Sequence, residues 1–162
     1  MVERKYMAHY IDANFGSGET LYVRLGEDLE EYTENLNPQV DAKRNILGEN
    51  SVRVYGYQPQ SEVTPYYIDY EDDLSKAIMD IINNRKTGDD LRTTMVDVLL
   101  KPGSSPDSPP TVVFAHREDC VVVPSTGLGG NTTGVQTPFT IYKAGNRVKG
   151  TFDLTTKEFT AQ

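Results

Sequence analysis

Apolar and polar residues alternate along most of this chain. In 20–25, Leu21, Val23 and Leu25 alternate with Thr20, Tyr22 and Arg24, the period-two pattern of a half-buried strand. Residues 6–11 predict a strand before it, and Phe15, Gly16, Ser17 and Gly18 supply the turn between them. In 51–57, Val52 and Val54 take one face while Arg53, Tyr55 and Tyr57 take the other. In 93–100, Thr94, Val96, Val98 and Leu100 oppose Met95, Asp97 and Leu99. Residues 111–115 and 120–123 read as two short strands of the buried, β-branched type, separated by a polar turn from His116 to Asp119. Residues 135–142 alternate again, with Pro138 marking an edge or a bulge. Residues 147–152 and 158–160 predict the arms of a terminal hairpin, joined by 153–157.

One segment has the helical period. Leu74, Ala77, Ile78, Ile81 and Ile82 fall at i, i+3, i+4, i+7 and i+8 and form a single apolar stripe. Asp72 or Asp73 caps its start, and Asn83, Asn84 and then Gly88 end it. A helix with one apolar face packs on a sheet. The expected fold is therefore mainly β, a sandwich or barrel with one flanking helix, in a single domain over 1–162.

Two stretches fit no regular element. Residues 26–48 predict a long connection, with at most a short strand near 32–36 and a turn at Asn37-Pro38. Connections of that length are usually functional or mobile. The stretch carries the acidic run Glu27, Asp28, Glu30, Glu31 and Glu34, with Leu29, Tyr32, Leu36, Val40, Ile46 and Leu47 interspersed. It reads either as a solvated face or as an interaction arm. Residues 101–110 hold four prolines and three serines and predict a surface loop between strands.

Composition narrows the function. The chain has 162 residues, 16 Lys+Arg and 24 Asp+Glu, a formal charge of −8. The length suits one domain with one core. The acidic balance argues against a protein that holds nucleic acid by neutralising phosphates. No apolar run approaches the ~20 residues of a membrane-spanning helix, and the charged segment 1–5 leads straight into a strand, so neither a membrane span nor a signal peptide is expected. Cys120 is the only cysteine, which excludes an internal disulfide or a cysteine-rich zinc site. Synthesis in a reducing compartment is expected, or action outside the cell without staples.

Candidate chemistry is thin. His9 shares a strand face with Met7 and Ile11, and His116 sits in the expected polar turn; neither belongs to a nucleophile motif. Cys120 precedes three valines and reads as a small buried hydrophobe. Asp69, Glu71, Asp72 and Asp73 form the densest carboxylate cluster, but they lack the calcium-loop pattern, and a helix cap accounts for the last two. Gly127, Gly129 and Gly130 superficially match a phosphate loop, yet a strand follows where the motif needs a helix. No catalytic residue, cofactor or metal is expected. Tyr55, Tyr57, Tyr66, Tyr67 and Tyr70 offer a possible stacking surface for a ligand such as a carbohydrate.

The segment NPQVDAKRNILGEN (37–50), followed by VYGYQP (54–59), resembles the major tail (tail tube) proteins of long-tailed phages and prophages of Gram-positive bacteria. The preceding LGEDLEE (25–31), the later Pro65-Tyr66 and the terminal VKGTFDLTTKEFT (148–160) fit the same pattern. The resemblance implies a β-sandwich with a flanking helix that assembles as hexameric rings, which stack into a tube around the passing genome. It implies self-association, tape-measure, tail-terminator and baseplate or tip proteins as partners, and a place in the virion tail after synthesis in the host cytoplasm. By position, 26–48 is then the arm that reaches a neighbouring subunit, with Leu29, Tyr32, Leu36, Val40, Ile46 and Leu47 as its anchors. Residues 51–57 and 93–100 become candidates to line the lumen. A hexamer would carry 6 × −8 = −48, and acidic charge facing the lumen would keep DNA from sticking. Two alternatives stand beside this reading: the tube of a phage-derived contractile particle, and a monomeric ligand-binding β-domain. An enzyme built on the carboxylate cluster has the weakest warrant.

Overall fold

Strands make up 52% of the computed structural model and helical turns 12%, so the chain is mainly β, a curled antiparallel half-barrel with one helix. The structure describes residues 3–26, 29, 31–99 and 111–162. The expected loop at 101–110, Leu100, and the acidic residues Glu27, Asp28 and Glu30 lie outside the described residues. The strands are β1 (Met7–Asp12), β2 (Tyr22–Leu25), β3 (Glu34–Asn35), β4 (Pro38–Arg44), β5 (Asn50–Tyr57), β6 (Gln60–Val63), β7 (Arg92–Leu99), β8 (Val112–Pro124), β9 (Gly129–Gly130), β10 (Val135–Gln136), β11 (Phe139–Asp153) and β12 (Glu158–Ala161). The helix α1 spans Asp73–Asn84. Eight strands form one antiparallel sheet in the order β2-β1-β7-β8-β11-β6-β3, with β12 also paired to β11. Two hairpins stand apart from it, β4-β5 and β9-β10.

The sheet is buried on both faces. On one, Ile11, Met95, Cys120, Val122 and Ile141 pack with Leu74 and Ile78 of α1. On the other, Tyr10, Val96, Val98, Val113 and Phe152 cluster, with Leu154 and Phe159 against them. Burying the stripe Leu74, Ile78 and Ile81 stabilises the helix's docking by about 1.5–3 kcal/mol per side chain. Ala77 and Ile82 of the same stripe are half-buried. The Asp72 carboxylate accepts the Leu74 N–H at 3.2 Å, the expected N-cap. At the other end Arg85, not an asparagine or Gly88, takes the left-handed position at φ 47°.

Two-sided burial also corrects the reading of 20–25. Tyr22, expected on the polar face, is buried edge-on to Phe152, whereas Leu21 is exposed. The two short strands expected at 111–115 and 120–123 are one strand, β8. His116 to Asp119 continue the ladder because their polar groups find neighbours: Phe114 beside His116, the Phe159 ring beneath Arg117, Arg147 for Glu118 and Asn146 for Asp119. The segments expected at 135–142 and 147–152 likewise redistribute. Pro138 separates β10 from β11, and β11 then runs through to Asp153. Gly145 (φ 90°) and Asn146 (φ 59°) do not end it; they absorb two register shifts against β8. The glycine loop at 127–130 leads into the β9-β10 hairpin.

The largest correction concerns 26–48. Its second half is no irregular connection but β4, paired with β5. Alternation was present there, Val40 and Ala42 against Asp41 and Lys43, but Pro38 and the charges masked it. The strand β6 also escaped the sequence pattern, because Gln60, Ser61 and Glu62 look like loop residues.

Candidate functional site

The β4-β5 hairpin carries an apolar surface left exposed among the described residues. Its register pairs Val40 with Val54 and Ala42 with Val52, giving one apolar face, while Asp41, Lys43, Arg53 and Tyr55 share the other. The Tyr55 hydroxyl donates to Asp41 at 3.2 Å. At the turn, the Asn45 side-chain oxygen accepts the Leu47 and Glu49 N–H groups at 3.0 and 2.9 Å, and the Asn45 N–H meets the Glu49 carbonyl. That geometry turns Ile46 and Leu47 outward, at 103% and 76% exposure. Val40, Val52, Val54 and Tyr57 are exposed as well. A lone two-stranded hairpin is marginal in water, and among the described residues neither of its outer edges pairs with a further strand. An apolar face displayed this way marks an interaction site.

The hairpin's foot is tied to the sheet. The Gln58 N–H donates to the Leu36 carbonyl at 3.0 Å, and the Lys143 N–H donates to the Pro59 carbonyl at 2.9 Å. Beside the foot lies a groove of about 810 Å³ whose walls include Leu36, Tyr57 and Tyr142 and whose lining includes Glu34, Glu118 and Arg147. Below it sits a partly buried polar chain. The Arg4 guanidinium meets His9 Nε2 at 2.9 Å, and His9 Nδ1 meets Asp97 Oδ1 at 2.6 Å. Arg4 only donates, so Nε2 accepts and Nδ1 carries the proton given to Asp97. Lys143 Nζ, its side chain fully buried, reaches Asp97 Oδ2 at 3.1 Å. Burial by itself raises the Asp97 carboxyl, but the His9 hydrogen bond and the Lys143 charge outweigh it and hold the group at about 2. Glu118 is pushed up by burial, against the pull of Lys143 and Arg147 and with the repulsion of Glu34 adding to it. Arg147 approaches its Oε1 at 3.7 Å, and its Oε2 is buried with no hydrogen-bond partner among the described residues.

The six residues expected on the arm divide. Val40, Ile46 and Leu47 are on the hairpin, and Leu36 stands exposed at its foot. Leu29 and Tyr32 instead pack against this chain's own core, Tyr32 with its ring 4.3 Å from His9. Sequence reasoning assigned Val52, Val54 and Tyr57 to a separate strand and missed Glu118, Asp97 and Lys143 as a group. The hairpin's signal was two alternating runs around Asn45 and Gly48; nothing in sequence spacing joins Asp97 to Lys143.

The remaining candidates have local duties. Asp69 accepts the Glu71 N–H at 2.9 Å in a turn, and Asp73 lies 3.9 Å from Lys76. Among the described residues, no group of three or more His, Cys, Asp or Glu side chains is placed to hold a metal ion. Cys120 is buried, which pushes its thiol up to about 12. Tyr66 stands edge-on to Phe139, with its hydroxyl 3.0 Å from Ser75 Oγ, while Tyr55, Tyr57 and Tyr70 are exposed. Among the described residues, no helix is long and apolar enough to cross a membrane. No family model matches the chain, and no curated protein matches it.

Proposed function

We propose that this chain is a tail-tube subunit of a long-tailed phage or prophage: a structural protein that closes into hexameric rings, which stack into the conduit for the genome. The observation that carries the reading is the β4-β5 hairpin, which leaves the sheet and displays apolar side chains on both strands and at its tip. Two of the segments that carry the family resemblance, 37–50 and 54–59, fall on this same element and its foot. A monomer gains nothing from such a surface, whereas a subunit inserts it into a neighbour. In this reading its partners are other copies, together with tape-measure, terminator and tip proteins, and its place is the virion tail. A contractile particle's tube differs by recruiting a sheath around it.

The lumen assignment changes. The side chains of β7 are buried alternately on both sheet faces, Met95 on one and Val96 and Val98 on the other, so β7 has no free face to offer a lumen. The ligand-domain alternative loses support, since Tyr66 faces the core while Tyr55 and Tyr57 lie out on the hairpin.

Negative-stain electron microscopy of the concentrated full chain tests the proposal. Rings or short tubes are expected. A chain that stays monomeric at every concentration, and also with tail-assembly partners, overturns it.

A further inference from the structure

Lys143, Asp97 and Glu118 come together at one dry point of the sheet. The strands run β7-β8-β11, so β8 lies between the strand of Asp97 and that of Lys143. Asp97 pairs with His116 of β8, and Lys143 pairs with Cys120. Glu118 stands between those two positions and, by the two-residue period, shares their face. The side chains of Asp97 and Lys143 therefore converge across β8 on the stretch that carries Glu118. The Lys143 side chain is fully buried and its Nζ lies 3.1 Å from Asp97 Oδ2, whereas Lys43, Lys76 and Lys86 meet their aspartates in solvent. The His9 Nδ1–H holds the other Asp97 oxygen at 2.6 Å. Burial pushes the Glu118 carboxyl up, and its Oε2 has no hydrogen-bond partner among the described residues, so it is suited to carry a proton. An ion pair in such a place returns little net stability, because desolvating two charges offsets their attraction.

A neutral amide in the same place carries no such penalty. We propose that Lys143 and Asp97 condense within the folded chain into an isopeptide bond between Lys143 Nζ and Asp97 Cγ, with Glu118 relaying protons and one water released. The steps balance without a co-reactant. The Lys143 ammonium passes a proton to Asp97 Oδ2, leaving an amine and a carboxylic acid. At rest His9 and Lys143 keep Asp97 ionised, so this transfer sets the rate, and the ion pair is the state before linkage. The Nζ lone pair then attacks Cγ, and negative charge moves to Oδ1, where the His9 N–H stabilises it. Glu118 gives its proton to the Oδ2 hydroxyl, the Cγ–Oδ2 bond breaks, and water leaves as the Cγ–Oδ1 double bond reforms. Glu118 takes back a proton from Nζ, which leaves a neutral amide. Reactants held in place react as if at effective concentrations on the order of 10⁵–10⁸ M. The bond joins β7 to β11 across a sequence separation of 46 residues. It is a covalent staple of the kind that a single cysteine cannot form. It needs no second copy, so it stands apart from the tube-subunit reading.

Mass spectrometry of the purified full chain tests it. The folded natural chain, held near neutral pH, should lose the mass of one water, and a protease digest should contain a branched peptide joining Lys143 to Asp97. Lys143→Arg keeps the charge but lacks the nucleophile, and should retain its full mass. Glu118→Gln keeps both reacting groups and should link about a hundredfold or more slowly, with an unchanged circular dichroism spectrum. If Glu118→Gln does not fold, the branched peptide in the natural chain still decides the bond. A folded natural chain at full mass with no branched peptide overturns the proposal, and so does a water lost elsewhere in the chain. Linkage of Glu118→Gln at the natural rate overturns the relay. Rings or tubes built from unlinked chains overturn the bond and leave the tube subunit standing.

Discussion

Asp97 shows how one residue couples distant parts of the chain. It lies in β7, and its two oxygens hold His9 of β1 and Lys143 of β11. Its carboxyl titrates near 2 in the fold against an ordinary 3.8, so the folded value is the lower one. The pairing therefore stabilises the fold in full above about pH 4 and is lost as pH falls from there toward 2. The corresponding stabilisation is on the order of 2 kcal/mol. Asp97→Asn should cost more, about 3–5 kcal/mol, because it strands the fully buried Lys143 ammonium without its counter-charge. Urea denaturation at pH 7 checks the loss. The same measurement between pH 4 and pH 2 should show a flatter acid dependence in the variant, and an unchanged slope would show that Asp97 is not the group responsible.

At the scale of elements, the hairpin and the sheet are separable. The Leu36 carbonyl and the Gln58 N–H are already hydrogen-bonded at 3.0 Å, so a short turn can join 37 to 58 once 38–57 is removed. The excised protein should keep a cooperative thermal transition, because neither core cluster includes a residue of β4 or β5. It should also fail to form tubes under conditions where the natural chain does. Normal polymerisation of the excised chain would disprove the hairpin's role. Removing β4 alone is a worse experiment, since it leaves the eight residues of β5 without a partner strand.

For the whole molecule, charge is unevenly placed. Residues 38–57 of the hairpin hold Lys43, Arg44 and Arg53 against Asp41 and Glu49, a net of 3 − 2 = +1, so the remaining 142 residues carry −8 − 1 = −9. A basic element suits an interface with an acidic body, and an acidic body suits a conduit that phosphate must pass without sticking. In a reconstructed ring, side chains facing the lumen should therefore be net acidic or neutral, with the hairpin's cations turned toward a neighbour. A continuous Lys/Arg track along the lumen would contradict this arrangement.

The sequence alone determined what depends on neighbours along the chain. The period-two runs fixed most strands, the stripe Leu74, Ile78 and Ile81 fixed the helix, and Asp72 fixed its start. Those signals are local, because side-chain direction in a strand or helix follows from backbone period. Tertiary structure decided what depends on contacts across the chain. It joined the halves of β8 and β11, whose polar middles are tolerable only beside each other. It sent Leu29 and Tyr32 to the core while leaving Ile46 and Leu47 in solvent. It also brought Asp97, Lys143 and Glu118 beneath one groove, a grouping between β7, β11 and β8 that strand pairing creates and that no spacing in sequence records.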